Sequence, residues 1–173
     1  MRIKILLFVF ILNVFGFAVQ AQTDTKIGYA NVEFIVSKMP EVNTIETELE
    51  AANAELKTQL DGMLGEYQRK VQAYEQSVDG MLEAVRKEKE IELTQLQQRI
   101  QKFQADAQNS LQQKQAELMN PLFVKIKTAI QELAKEEGFN LILNGQLGGA
   151  EIVLFSDDQT DVSDKVLKKL GVY

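Results

Sequence analysis

The run from Leu49 to Gly80, LEAANAELKTQLDGMLGEYQRKVQAYEQSVDG, decides the architecture. Within it Leu49, Ala52, Leu56, Leu60, Met63, Tyr67, Val71, Tyr74 and Val78 are separated by 3, 4, 4, 3, 4, 4, 3 and 4 residues. Such spacing lines all nine along one side of an α-helix. The underlying eleven-residue repeat, about 3.67 residues per turn, keeps the stripe almost straight. It is also narrow, as a helix packed against one neighbour requires. The run closes on Asp79-Gly80, the strongest turn signal between Glu41 and Glu137.

Beyond that turn a second stripe follows: Leu93, Leu96, Ile100, Phe103, Ala107, Leu111, Leu118, Leu122, Ile126, Ile130 and Leu133. One uninterrupted rod over both stripes would reach about 145 Å and leave its seam bare. A hairpin turning within 77–82 covers the seam internally, so residues 41–120 read as a helical arm. Its outgoing helix should be roughly 36 residues (about 54 Å) and the returning one roughly 56 (about 84 Å). The excess of the returning helix, from Asn120-Pro121 onward, should therefore lie against a body, with Pro121 kinking or dividing it. Gly62 and Gly65 each weaken the outgoing helix by about 1 kcal/mol relative to alanine and read equally well as flexible points or as tolerated glycines. Nine glutamines crowd Gln95 to Gln115, where the continuing apolar stripe favours a solvated helix face over disorder.

The flanks supply the body, residues 22–40 and 121–173. Lys26 to Ala30 reads as a strand, and Asn31 as the N-cap of a short helix whose Val32, Ile35, Val36 and Met39 share a face. Pro40 suits the first position of the next helix. Downstream, Gly138 fits a helix C-cap, and Phe139, Leu141 and Leu143 alternate with Asn140 and Asn144 as a second strand. Gly148-Gly149 marks a turn, Glu151 to Phe155 a third strand, and Asp161 the cap of a last helix bearing Val166, Leu167 and Leu170. The fold class is mainly α with a small β body. A body this small is marginal alone, and its strand edges invite pairing, so association is expected. Ile27, Tyr29, Val32, Leu141, Leu143, Ile152 and Leu154 are the candidate residues of that association, with Tyr29, Leu141 and Leu143 buried between strands.

At the start of the chain, Arg2 and Lys4 precede an apolar run from Ile5 to Phe17, and small residues follow. The pattern reads as a signal peptide over 1–21, cleaved after Ala21, with the mature chain exported and not inserted in a membrane. Removing Arg2 and Lys4 with it would take the net charge from −6 to −8. This acidity argues against nucleic acid as a partner. The chain has no cysteine, histidine or tryptophan. Zinc sites of the usual kinds and Ser-His or Cys-His nucleophiles are therefore out of reach, and no catalytic, cofactor or metal residues are assigned.

Three segments together resemble the Skp/OmpH family of periplasmic chaperones. They are Lys26 to Glu41 (KIGYANVEFIVSKMPE), Pro121 to Asn144 (PLFVKIKTAIQELAKEEGFNLILN) and Asp161 to Leu170 (DVSDKVLKKL), in the family's order and spacing. The resemblance implies a homotrimer in which strands of three subunits form a central body and helical hairpins hang from it. It further implies that unfolded outer-membrane proteins are held between the arms without ATP. The best-known members are strongly basic, whereas the arms here carry 9 acidic and 3 basic residues over Glu41–Met81 and 9 of each over Leu82–Glu137. Electrostatic capture of acidic clients is not carried over, nor are lipopolysaccharide-binding residues. Arg86, Lys87 and Lys89 form the densest basic group, interleaved with Glu83, Glu88 and Glu90 as a charge-balanced solvated face. Met63, Met81, Val85 and Ile91 are the candidate client contacts on the arm. A structural coiled-coil spacer or adaptor of the envelope is the alternative, since it too needs export, long helices and association.

Overall fold

The computed structural model describes residues 25–172, so the signal peptide expected over 1–21 lies outside the described residues. The chain opens with strand β1 (Ile27–Ala30) and passes directly into helix α1 (Val32–Lys38). Asn31 caps α1, its side-chain oxygen accepting the Phe34 N–H at 2.9 Å. Of the α1 face read from the sequence, Ile35 and Met39 are fully buried and Val32 and Val36 half-buried.

Helix α2 (Glu41–Ser77) and helix α3 (Glu83–Glu137) form the hairpin, joined by a 3-10 turn over Val78–Gly80. Pro40, placed by its sequence at the first helical position, is instead the N-cap residue, already in helical geometry at φ −64°. The seam reads directly onto the structure: the eight stripe residues in α2 and Val78 in the turn are half-buried, and every α3 stripe residue is half-buried or buried. Pro121 does not divide α3, which runs through it without a break. The missing donor costs a local bond, but Leu122 and Ile126, within the next two turns, are buried in the body core and favour the continued helix.

That core is a junction of helices. Ile35 and Met39 of α1, Leu122, Ile126, Ala129 and Leu133 of α3, and Val166 and Leu167 of helix α4 (Ser163–Lys169) meet around Ala30 and Val162. α3 ends at Gly138, whose left-handed backbone (φ 73°) is the geometry glycine tolerates best. Asp161 does not occupy the N-cap of α4, a position held by Val162. Its carboxylate nevertheless accepts the Ser163 N–H at 2.8 Å, so the capping interaction survives one residue earlier.

Strand β2 (Leu141–Asn144) returns beside β1 in parallel, pairing Ile27 with Leu141 and Tyr29 with Leu143. The close fit explains one glycine: a Cβ on Gly28 would stand 2.8 Å from the Phe139 ring and 3.1 Å from the Thr160 carbonyl. The strand expected over Glu151–Phe155 is not formed. Strands β3 (Gln146–Leu147) and β4 (Ala150–Glu151) make instead a tight antiparallel hairpin around Gly148-Gly149, both at positive φ. Ile152 to Phe155 has no strand to pair with among the described residues, and β-propensity without a partner does not make a ladder.

Candidate functional site

The body presents one open apolar face. In the parallel register, Ala30 and Ile142 turn toward the helices, while Ile27, Leu141 and Leu143 point away and are 46%, 47% and 42% exposed. Burial of Leu141 and Leu143 between strands, expected from their alternation, is therefore not found within the protomer. The strand does have two faces, and the one bearing Ile142 is the one that packs on the chain's own core. Tyr29 is half-buried, and Val32 packs against the core. Ile152 is exposed, and Leu154 and Phe155 are 86% and 92% exposed. The open face, the outer edge of β2, unpaired among the described residues, and the irregular Ile152–Phe155 run thus lie in one body. Exposed strand edge of this kind is a ready surface for further pairing.

Ion pairs that periodicity does not reveal join the two helices of the arm near both its ends. At its base Lys125 Nζ lies 2.5 Å from Glu41 Oε1. Glu41 Oε2 is shielded from water with no partner among the described residues. Hydrogen bonding to Lys125 lowers the Glu41 pKa. Near the tip Lys70 of α2 donates to Glu92 of α3, which also takes Lys89 at 3.0 Å. Lys70 first, then Lys89, holds the Glu92 carboxyl at about 2. One turn outward, the Tyr74 hydroxyl donates to Glu90 at 2.7 Å, and this bond raises the Tyr74 pKa. The register of these contacts depends on turn length, which single-residue patterns do not encode.

Of the basic tip group, Lys89 is thus engaged with Glu92, while Arg86 and Lys87 are exposed. The four candidate arm contacts separate. Met63 and Met81 sit half-buried in the seam, and Val85 and Ile91 are exposed on the first turns of α3. Met81 shares a small recess with Ala73, Tyr74 and Leu93, whereas Met63 is several turns away. Leu82, 77% exposed directly after the turn, was missed because it lies off the stripe. Phe123 and Val124, also off the stripe, are exposed where α3 meets the body.

Among the described residues no cluster of three or more acidic, His or Cys side chains is arranged to hold a metal ion. No helix among them is long and apolar enough to cross a membrane.

A slender paired arm on a small mixed body is an arrangement shared with known proteins. Residues 26–170 match the family model described as outer membrane protein (OmpH-like). The chaperone protein Skp of Yersinia enterocolitica is 26% identical over 146 residues, covering 84% of this chain and 85% of Skp. An uncharacterized protein of Aquifex aeolicus is 27% identical over 124 residues, covering 69% and 74% of the two chains. Among solved structures, a protein described as an OmpH-like outer membrane chaperone from Caulobacter crescentus superposes with a TM-score of 0.70 at 12% identity, covering 84% of this chain and 83% of that one. At that identity the superposition speaks for the fold, and the family assignment rests on the sequence match, which runs from the residue before β1 to the residue after α4. The chain belongs to the OmpH-like family, whose fold it shares and in which a chaperone role is the supported function.

Proposed function

We propose that the protein is an ATP-independent holdase of the periplasm that keeps unfolded outer-membrane proteins from aggregating by enclosing them between the arms of a homotrimer. Residues 22–40 and 121–173 serve as the associating body and residues 41–120 as the arm. The observation that carries the reading is the incomplete closure of the seam. All nine residues of the outgoing stripe, Leu49 to Val78, stay half-buried even where α3 is pressed against them. A spacer would bury its stripe within the bundle, whereas a holdase needs apolar side chains within reach of a client. Met63 and Met81 in the seam, with Val85 and Ile91 beside the tip, supply that reach, and thioether side chains adapt to irregular partners.

Association is supported by the body's open apolar face, where Ile27, Tyr29, Leu141, Leu143, Ile152 and Leu154 would be covered by neighbouring subunits, with Val32 bracing the strand from behind. The role requires no reacting group, and the protein is read as a non-enzyme that works without cofactor. The test is light scattering of a urea-unfolded outer-membrane β-barrel protein on dilution, with and without the purified protein. Suppression at one assembled oligomer per client is expected. Unchanged scattering would overturn the reading and favour a spacer.

A further inference from the structure

Six of the glutamines on α3 form a second stripe beside the apolar one. Gln97, Gln101, Gln104, Gln108, Gln112 and Gln115 are separated by 4, 3, 4, 4 and 3 residues, and each directly follows a seam position, as Gln97 follows Leu96. Lys114, half-buried, stands in the seam before Gln115. A step of about 100° per residue therefore sets all six on the same flank of the seam. All six are exposed, and among the described residues none makes a side-chain hydrogen bond, in contrast to Gln113, which donates to Glu117 at 2.9 Å. The opposite flank is mixed: Glu92, Arg99, Lys102, Asp106 and Glu117 are ionised, with Gln95, Ser110 and Gln113 between them. Near the body the glutamine flank borders an open groove between the helices, floored by Leu49 and Leu111 and rimmed by Gln108, Gln112 and Gln115 on one side, Glu50 and Asn53 on the other.

We propose that this glutamine flank and groove are a further client contact of the arm, beside the apolar ones, and that what they bind is the main chain of an unfolded polypeptide. The inference rests on the holdase reading and assigns the chemistry of capture within it. A carboxamide carries two donors and one acceptor oxygen, the same kinds of group as the peptide unit it would meet. An unfolded segment leaving water has its N–H and C=O groups unpaired, and leaving them so is costly. Charge selects this flank over its opposite. α2 is strongly acidic, and the glutamine flank is where an acidic client can lie against α3 without facing a row of ionised side chains. The glutamines recur on average about every 5.4 Å along the helix, whereas an extended chain repeats about every 6.6–6.8 Å. The two periods do not match, so no client register is selected and binding is indifferent to sequence.

The test uses the purified protein and a fluorescently labelled, urea-unfolded outer-membrane β-barrel polypeptide, with affinity read by anisotropy on dilution. Q108E/Q112E removes two carboxamides from the groove rim. N109D/Q113E adds the same charge at the same level but one residue round the helix, away from the groove. The rim pair should lose about tenfold in affinity, corresponding to two hydrogen-bonding groups, and the outer pair less than about twofold. The neutral Q108A/Q112A should also weaken binding, by at least about threefold. Circular dichroism checks that all three keep their helix, and Q108A/Q112A, which raises helix propensity, serves if the charged pair unfolds. Equal losses in both charged pairs, or unchanged binding in Q108A/Q112A, would overturn the inference while leaving the holdase intact. A change in sedimentation without a change in capture would overturn it too, showing that the flank packs against a second copy. Failure of the unaltered protein to bind removes the holdase reading and the inference together.

Discussion

Lys125 Nζ and Glu41 Oε1 lie 2.5 Å apart, tying the first residue of α2 to α3 one turn beyond Pro121. The pair bridges 84 positions of sequence and marks where arm becomes body. Both side chains are about half exposed, so solvent screening discounts the contact. Lys125→Met is expected to lower stability by less than about 1 kcal/mol at neutral pH, read as the urea midpoint. Because Lys125 lowers the Glu41 pKa, the contribution is complete above the ordinary carboxylate value and fades as pH falls through the depressed one. A loss several times larger would show that the pair is desolvated in the assembled protein.

The tip pair gives a second pH test. Glu92, held at about 2 by Lys70 and Lys89 against an ordinary value of 4.5, should keep its contact to Lys70 through mildly acidic conditions and lose it only as pH falls through about 2, while the stability it contributes fades from 4.5 downward. Carbon-detected NMR of the Glu92 carboxyl should place the midpoint near 2 and move it upward in Lys70→Met. A midpoint unchanged by that substitution would mean that the cross-helix contact does not form in solution.

Two leucines of the body should respond in opposite ways. Leu167 is fully buried in the protomer core, so Leu167→Ala should cost about 2–5 kcal/mol of stability. Leu141 lies on the open face, so Leu141→Asp should leave the protomer folded but abolish association, because the charge would be trapped wherever a partner covers it. Size-exclusion chromatography with circular dichroism reads both. A Leu141→Asp protein that still elutes as an oligomer would remove this face from the interface.

Much of this architecture is legible in the sequence because helical periodicity is local. The α2 and α3 stripes, the break beside Asp79-Gly80 and the Asn31 cap need no knowledge of distant residues. Pro121 shows the limit: its cost is local, but the burial of Leu122 and Ile126 that keeps α3 intact is supplied by α1 and α4. Ile152–Phe155 fails for the converse reason, since a strand exists only where a partner edge does. Alternation in Leu141–Asn144 announces two faces but not which of them meets the chain's own core. The ion pairs of the arm were hidden because Lys70 and Glu92 are brought opposite by the length of the turn.

Removing the outer arm should separate capture from association. Deleting residues 55–105 and closing the chain with a short Asp-Gly turn takes matching parts of both helices, while the buried core from Ala30 to Leu167 keeps all its members. The shortened protein is expected to fold and associate but to leave light scattering of an unfolded β-barrel protein unchanged. Retained suppression would move the client site to the body.

Salt distinguishes the modes of capture. Screening shortens the Debye length from about 10 Å at 0.1 M to about 3 Å at 1 M, so attraction at a distance would weaken steeply over that range. Apolar and carboxamide contacts with an acidic client should instead hold or strengthen as repulsion from the acidic α2 is relieved. Flat or rising affinity in a salt titration is expected. A steep fall would assign capture to Arg86, Lys87 and Lys89.

The unbroken passage of α3 from tip to core makes the arm a cantilever. Its root, Leu122 to Leu133, is clamped among α1 and α4, while α2 is moored at its base by Ile45 and the Glu41–Lys125 pair. Load from an enclosed polypeptide would therefore be taken up as curvature distributed along a continuous helix, and helices bend gently over radii of about 60–100 Å without losing their bonds. If several arms enclose a client as proposed, a compartment with such walls would adjust its bore in proportion to what it contains, and return to its resting width when emptied, with no latch to reset and no fuel to consume.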